Sequence, residues 1–172
     1  MVHKHMTVSG GFCILLALLI LTVPLPWLLS GLIAAGFHEL GHILAIYLLG
    51  GTVRFGSLGS TSANLYIPSM SRGRELAAAL GGPLFSLIAL LFWRQVPRIA
   101  LCAGFQLCYN LLPLYPMDGG RILSCLFGDV TCRRIAFIFR VGLAIFGLWL
   151  TFWIKVGIFP LLMVLLLLIR TK

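Results

Sequence analysis

The sequence predicts an all-α polytopic membrane protein with about six transmembrane helices and a short membrane-associated β-hairpin between the second and third helices. Of its 172 residues, 60% are hydrophobic and only 10% are charged. A soluble domain carries roughly 45–50% apolar and about 25% charged residues. The apolar residues also fall into runs long enough to cross a bilayer. For this length we expect one membrane-embedded domain over residues 1–172.

Two apolar runs open the chain, at about residues 11–29 and 32–49. The first is longer than the apolar core of a signal peptide and lacks an A-x-A-like cleavage site, which favours a retained first span. Pro24 and Pro26 are expected to kink or end it. The dipeptide Ser30-Gly31 is the predicted link to the second span.

Residues 52–74 differ in character, because they are rich in glycine and serine and too polar to span a membrane. The spacings Val53/Phe55 and Leu65/Ile67 suit two short strands joined by a turn. Two interpretations stay open for this stretch. It is either an edge to which an extended peptide adds by β-augmentation, or a plain amphipathic loop.

Four further spans are predicted at about residues 75–93, 99–114, 135–154 and 158–169. Gly81-Gly82-Pro83 is expected to interrupt the third span and to let another backbone approach closely. The fourth is expected to be broken within NLLPLYPMDGGR, residues 110–121, because Pro113 and Pro116 cannot continue a regular helix. A polar link over 126–134 should lead to the fifth.

The formal charge of +9 reports on topology rather than on nucleic acid. No basic patch with interleaved aromatic residues is present, so nucleic acid is not an expected partner. Most of the 13 lysines and arginines fall in the segments that six spans place on the same side as both termini. Basic segments stay on the cytoplasmic side, so we expect cytoplasmic termini and contact with the lipid bilayer.

The strongest chemical signal is the stretch His38-Glu39-Leu40-Gly41-His42 in the second span. On an α-helix His38 and His42 share one face, where two imidazoles can hold one zinc ion. Glu39 beside them would act as general base toward water that zinc polarises. Ionisable groups at membrane depth are costly and usually functional. The structural alternative is a pair of histidines that only hydrogen-bond to neighbouring helices.

A catalytic zinc site typically has three protein ligands, so one more is needed. Asp118 lies in the broken fourth span beside Gly119-Gly120, which permit positive φ and close approach. Glu75 and Asp129 lie at span ends beside arginines and are interpreted as surface charges. Taken alone, an aspartate before two glycines is usually a turn residue. Asn110 is a candidate oxyanion donor, or else a tether of the broken helix.

FHELGH and NLLPLYPMDGG together resemble the site-2 protease family of intramembrane zinc metalloproteases, with the stage IV sporulation protein FB-like branch most similar in pattern. The resemblance covers about residues 32–121, the expected catalytic core. It implies one zinc ion per chain, held by His38, His42 and Asp118. It implies that Glu39 is the catalytic acid/base and that Asn110 and Pro116 contact the substrate.

The resemblance also implies regulated intramembrane proteolysis of membrane-tethered substrates, such as a pro-sigma or anti-sigma factor, in a multi-pass protein of the cell membrane. The glycine-proline motif of the family often ends in asparagine, whereas GGPLFS here ends in Ser86. Neither a CBS nor a PDZ domain is expected, so regulation should come from other membrane proteins. Two rival functions are an inactive membrane scaffold homologue and a zinc transporter, which would need a second membrane-depth site.

Overall fold

The computed structural model describes residues 7–8, 17, 19–51, 54–58, 63–66, 71–152 and 165. Within these residues the chain is mostly helical. Its elements, in chain order, are β1 (Thr7–Val8), α1 (Leu25–Leu48), β2 (Arg54–Leu58), β3 (Ala63–Tyr66), α2 (Arg72–Leu91), α3 (Pro97–Asn110), α4 (Asp118–Phe127) and α5 (Asp129–Phe152).

Three of the described helices, α1, α2 and α5, are long and apolar enough to cross a membrane. This agrees with the prediction of a helical membrane protein, although six spans were predicted. The sixth predicted span, about 158–169, lies outside the described residues apart from Leu165, which is helical. The chain divides into two compact units, residues 1–107 and 108–172.

Helix α1 begins after Pro24, so the predicted link at Ser30-Gly31 is wrong. The Pro24 carbonyl accepts a hydrogen bond from the Leu28 amide at 3.1 Å, which starts the helix. Pro26 fits the first turn because a helix has no acceptor for the amide that proline lacks. The Ser30 hydroxyl donates to the Pro26 carbonyl at 2.7 Å and is thereby satisfied inside the helix. One 24-residue helix therefore carries the HELGH stretch.

The strands of the first unit form one sheet in the order β1-β2-β3. Strands β2 and β3 pair antiparallel, with Phe55 opposite Leu65, and a register shift falls between Phe55 and Ser57. Strand β1 pairs parallel to β2 and was not predicted. Since β2 is paired on both sides, β1 and β3 are the edges of this sheet among the described strands.

Helices α1 and α2 approach each other closely through two glycines, Gly41 and Gly81. A Cβ atom added to either glycine would collide with the carbonyl oxygen of the other. A Cβ atom at Gly81 would also lie 2.9 Å from the Ala45 side chain. The predicted interruption at Gly81-Gly82-Pro83 is wrong, because α2 runs through all three residues. The close approach expected of these small residues is present, and it occurs within a continuous helix.

Replacing Gly81 with alanine should destabilise the protein by about 1–3 kcal/mol, because the new methyl group meets main-chain atoms that cannot rotate away. Thermal unfolding in detergent, followed by loss of helical circular dichroism, measures this. Gly73→Ala on the same helix is the matched control, since nothing lies within 4 Å of its added Cβ atom. The control should keep or slightly raise stability. Equal stability of both variants would contradict this packing.

The fourth predicted span is broken as expected, and the break lies in the second unit. Helix α3 ends at Asn110 and regular helix resumes at Asp118. Between them, turns are closed by main-chain bonds such as Met117 to Leu114 at 2.9 Å. A Cβ atom at Gly119 would collide with the Leu111 carbonyl. Gly119-Gly120 are helical, so they serve close approach rather than positive φ.

Helices α4 and α5 are separated by one non-helical residue, Gly128. The predicted polar link over 126–134 is therefore wrong. Gly128 has φ +80°, a conformation that favours glycine and ends a helix. Leu114 and Met117 of the turn segment pack with Ala136 of α5 in the core of this unit.

Candidate metal site

Helix α1 places the His38 and His42 side chains on one face, as the four-residue spacing predicts. Both residues are buried, with exposed fractions of 1% and 8%. Their Nε2 atoms are 3.3 Å apart, and the two rings meet edge to face. Two nitrogen ligands at about 2.0–2.1 Å from a tetrahedral zinc ion are separated by about 3.3 Å. The pair therefore has the separation that one shared zinc ion requires.

The Nδ1 atoms of both histidines are hydrogen-bonded to helix α2. His42 Nδ1 lies 2.8 Å from the Ala78 main-chain carbonyl and 3.3 Å from the Gly82 main-chain amide. A neutral His42 ring that donates from Nδ1 to the carbonyl carries its lone pair on Nε2. His38 Nδ1 lies 2.8 Å from the hydroxyl of Ser86. Such bonds fix the tautomer and ring orientation of metal-ligating histidines.

Gly82 of α2 faces the two imidazoles. A Cβ atom at this position would collide with His42 Nε2 and would lie 2.7 Å from His38 Nε2. The ends of the two imidazoles therefore lie where a side chain at position 82 would be. Glycine here lets both Nε2 atoms lie together, and a shared metal ion needs that arrangement, so the residues present fit the group.

Asp118 could supply the third donor. One ligand atom from each of His38, His42 and Asp118 lies within 4.8 Å of the others, and all three residues are buried. Two imidazoles and a carboxylate are the ligand set of many catalytic zinc sites. This cluster could hold a metal ion, as the sequence predicted. Asp118 is the first residue of α4, directly after the turn segment.

The structure gives the positions of the other predicted site residues but does not test their roles. Glu39 lies on α1 beside His38 and is partly buried. Asn110 is the last residue of α3 and is also partly buried, whereas Pro116 lies in the exposed part of the following turns. Their catalytic and substrate-contact roles stay predictions.

Sequence reasoning missed the contribution of Gly82 and Ser86. Both lie in the GGPLFS stretch, of which Gly81-Gly82-Pro83 was interpreted as packing and Ser86 was noted only as a departure from the family's asparagine. Their four-residue spacing with Ala78 places all three on one face of a helix. That spacing was visible in the sequence, but nothing in the sequence showed which face of α2 meets the histidines.

The chain shares its fold with a solved structure, the site-2 protease from Methanocaldococcus jannaschii. The two structures align with a TM-score of 0.58, over 95% of this chain and 87% of that chain, at 22% sequence identity. No protein-family profile and no curated protein sequence matches the chain. At this identity the likeness establishes the fold and leaves the activity to be argued from the site.

Proposed function

We propose that this protein is an intramembrane zinc metalloprotease of the site-2 protease type. The single observation that carries the proposal is the buried cluster of His38, His42 and Asp118. Its two histidines lie on a helix that is apolar enough to cross a membrane. The fold shared with a site-2 protease supports the same reaction. One zinc ion per chain would be held by these three residues.

The chain's own residues suit peptide hydrolysis. When bound, zinc would polarise a water molecule for attack on a peptide carbonyl. Glu39, beside His38, accepts a proton from that water and returns it to the leaving amine. Asn110 is proposed to donate a hydrogen bond to the developing oxyanion. Burial of the ligands keeps bulk water away from their charges, which strengthens these interactions.

The proposed substrates are membrane-tethered proteins, such as a pro-sigma or anti-sigma factor. The peptide bonds of a helix are shielded, so a substrate segment must be extended when it is cut. The edge strands β1 and β3 offer main-chain groups to which such a segment could add. Pro116 is a proposed substrate contact. Regulatory membrane proteins are the proposed partners, and a six-span protein of the cell membrane is the proposed setting.

Cleavage of a tethered reporter tests the proposed function. Membranes that hold this protein and a panel of single-span reporters with extended, glycine-containing segments should yield a shortened product. A zinc chelator should stop the reaction, and added zinc should restore it. Stoichiometric zinc without any cleaved reporter would instead support a scaffold or a transporter and would contradict the protease assignment.

Cytoplasmic termini can be tested by labelling. In a cysteine-free background, Lys4→Cys and Lys172→Cys should react with a membrane-impermeant maleimide only after permeabilisation, because basic segments stay inside. Arg94→Cys, in the predicted outside loop after α2, is the control and should react in intact cells. Labelling of both termini in intact cells would overturn the topology.

A further inference from the structure

Three residues of α2 lie opposite the HELGH stretch at four-residue intervals. The Ala78 carbonyl bonds to His42, Gly82 makes room for the ends of both imidazoles, and the Ser86 hydroxyl bonds to His38. The order is reversed between the two helices, as expected of antiparallel neighbours. The face of α2 that carries these three residues therefore packs against the two imidazoles.

The two histidines are oriented by different kinds of group. His42 Nδ1 meets main-chain groups, the Ala78 carbonyl and the Gly82 amide, which side-chain substitutions do not remove. His38 Nδ1 meets a side-chain hydroxyl, and both Ser86 and His38 have an exposed fraction of 1%. Loss of the hydroxyl would thus leave a buried polar atom without this bond.

Ser86 also differs from other hydroxyl residues in the described helices. The Ser30 hydroxyl donates to Pro26, and the Thr151 hydroxyl donates to Gly147, each four residues earlier in its own helix. This is the usual local bond of serine and threonine within helices. The Ser86 hydroxyl instead contacts a residue 48 positions away on another helix.

We propose that Ser86 is a positioning residue for the metal site. Its hydroxyl holds the His38 ring so that the Nε2 atoms of His38 and His42 can bind the same metal ion. The inference rests on the proposed function in that it needs a metal ion bound to the histidines. In the neutral His38 tautomer that presents Nε2 to a metal, Nδ1 carries the proton and donates to the Ser86 oxygen. Without the hydroxyl, the His38 ring loses a bond that fixes its orientation and its tautomer.

Metal affinity of the purified full-length protein in detergent tests this role. Ser86→Ala should bind Zn²⁺ about 10–100-fold more weakly in competition with a chromogenic chelator, the range typical of outer-shell substitutions. The visible absorption bands of the Co²⁺-loaded variant should shift, because the His38 ring moves. Ser86→Thr keeps the hydroxyl and should restore affinity to within about threefold of the wild-type value.

Ser30→Ala is the matched control, since it removes a buried serine hydroxyl that bonds within its own helix. It should leave zinc affinity and the cobalt spectrum unchanged. If Ser86→Ala does not fold, Ser86→Cys keeps the volume with a weaker hydrogen-bonding group and should show the same loss of affinity. Thermal unfolding of the metal-free variants checks that the loss reflects metal binding rather than folding.

The outcomes separate the two proposals. Wild-type affinity and an unchanged cobalt spectrum in a folded Ser86→Ala or Ser86→Cys variant would overturn the role of Ser86. A change of metal-free stability alone would mean that Ser86 only packs, and would also overturn it. Failure of the wild-type protein to bind zinc or cobalt would instead contradict the proposed metalloprotease.

Discussion

Glu39→Gln should lower cleavage of a membrane-tethered reporter by about 10²–10⁴-fold, the usual contribution of a general acid–base group. Glutamine has nearly the shape of glutamate but cannot accept a proton from water or return one to the leaving amine. The ligand cluster of His38, His42 and Asp118 is unchanged, so the variant should still hold one zinc ion per chain. Initial cleavage rates and zinc content of the same purified samples provide the measurement.

Glu75→Gln is the matched control, because Glu75 is the other glutamate of the chain and is exposed in the first turn of α2. It should cleave at the wild-type rate. Full cleavage by Glu39→Gln would show that another group transfers the proton. Loss of zinc together with cleavage would show that Glu39 acts as a ligand or supports the fold.

Gly82→Ala should abolish zinc binding while the protein stays folded. The added methyl group would collide with His42 Nε2 and lie 2.7 Å from His38 Nε2, so the imidazoles would have to turn away. Because the groups displaced are the ends of side chains, the main chain need not move. Zinc content after dialysis should fall from one ion per chain to nearly none, and reporter cleavage should fall with it.

Two neighbouring variants make this result specific. Gly73→Ala adds the same methyl group to α2 at an open position and should keep zinc. Gly81→Ala, one residue before Gly82, meets the main chain of α1 and should lower the unfolding temperature. A folded Gly82→Ala variant that holds one zinc ion per chain would contradict the need for glycine beside the two Nε2 atoms.

The local chemistry of the site could be predicted from sequence because it depends on short spacings. An α-helix brings residues four apart to one face, which alone pairs His38 with His42. The break before Asp118 follows from Pro113 and Pro116, which cannot continue a helix. Asp118 was also predicted as the third donor, because the other acidic residues lie at span ends.

Helix boundaries were less accurately predicted, since the same residue has opposite effects at different positions. Pro24 and Pro26 were expected to kink or end the first span. The helical residues 19–22 do stop before Pro24, but α1 begins directly after it, where the amide that Pro26 lacks costs nothing. Pro83 was expected to interrupt α2, yet the helix continues through it. The polar residues around Asp129 suggested a link, but they begin α5 directly after Gly128.

The sequence by itself determined which donors this protein has and how those on one helix are spaced, because helical geometry follows from local main-chain bonding. Only the tertiary structure decided which residues of other helices contact those donors. Ser86 contacts His38, and Gly82 makes room for the HELGH imidazoles, because α1 and α2 meet at Gly41 and Gly81 in one particular rotation. That rotation depends on how the side chains of the two helices pack against each other. The two helices are separated in the chain, so no local sequence pattern determines it.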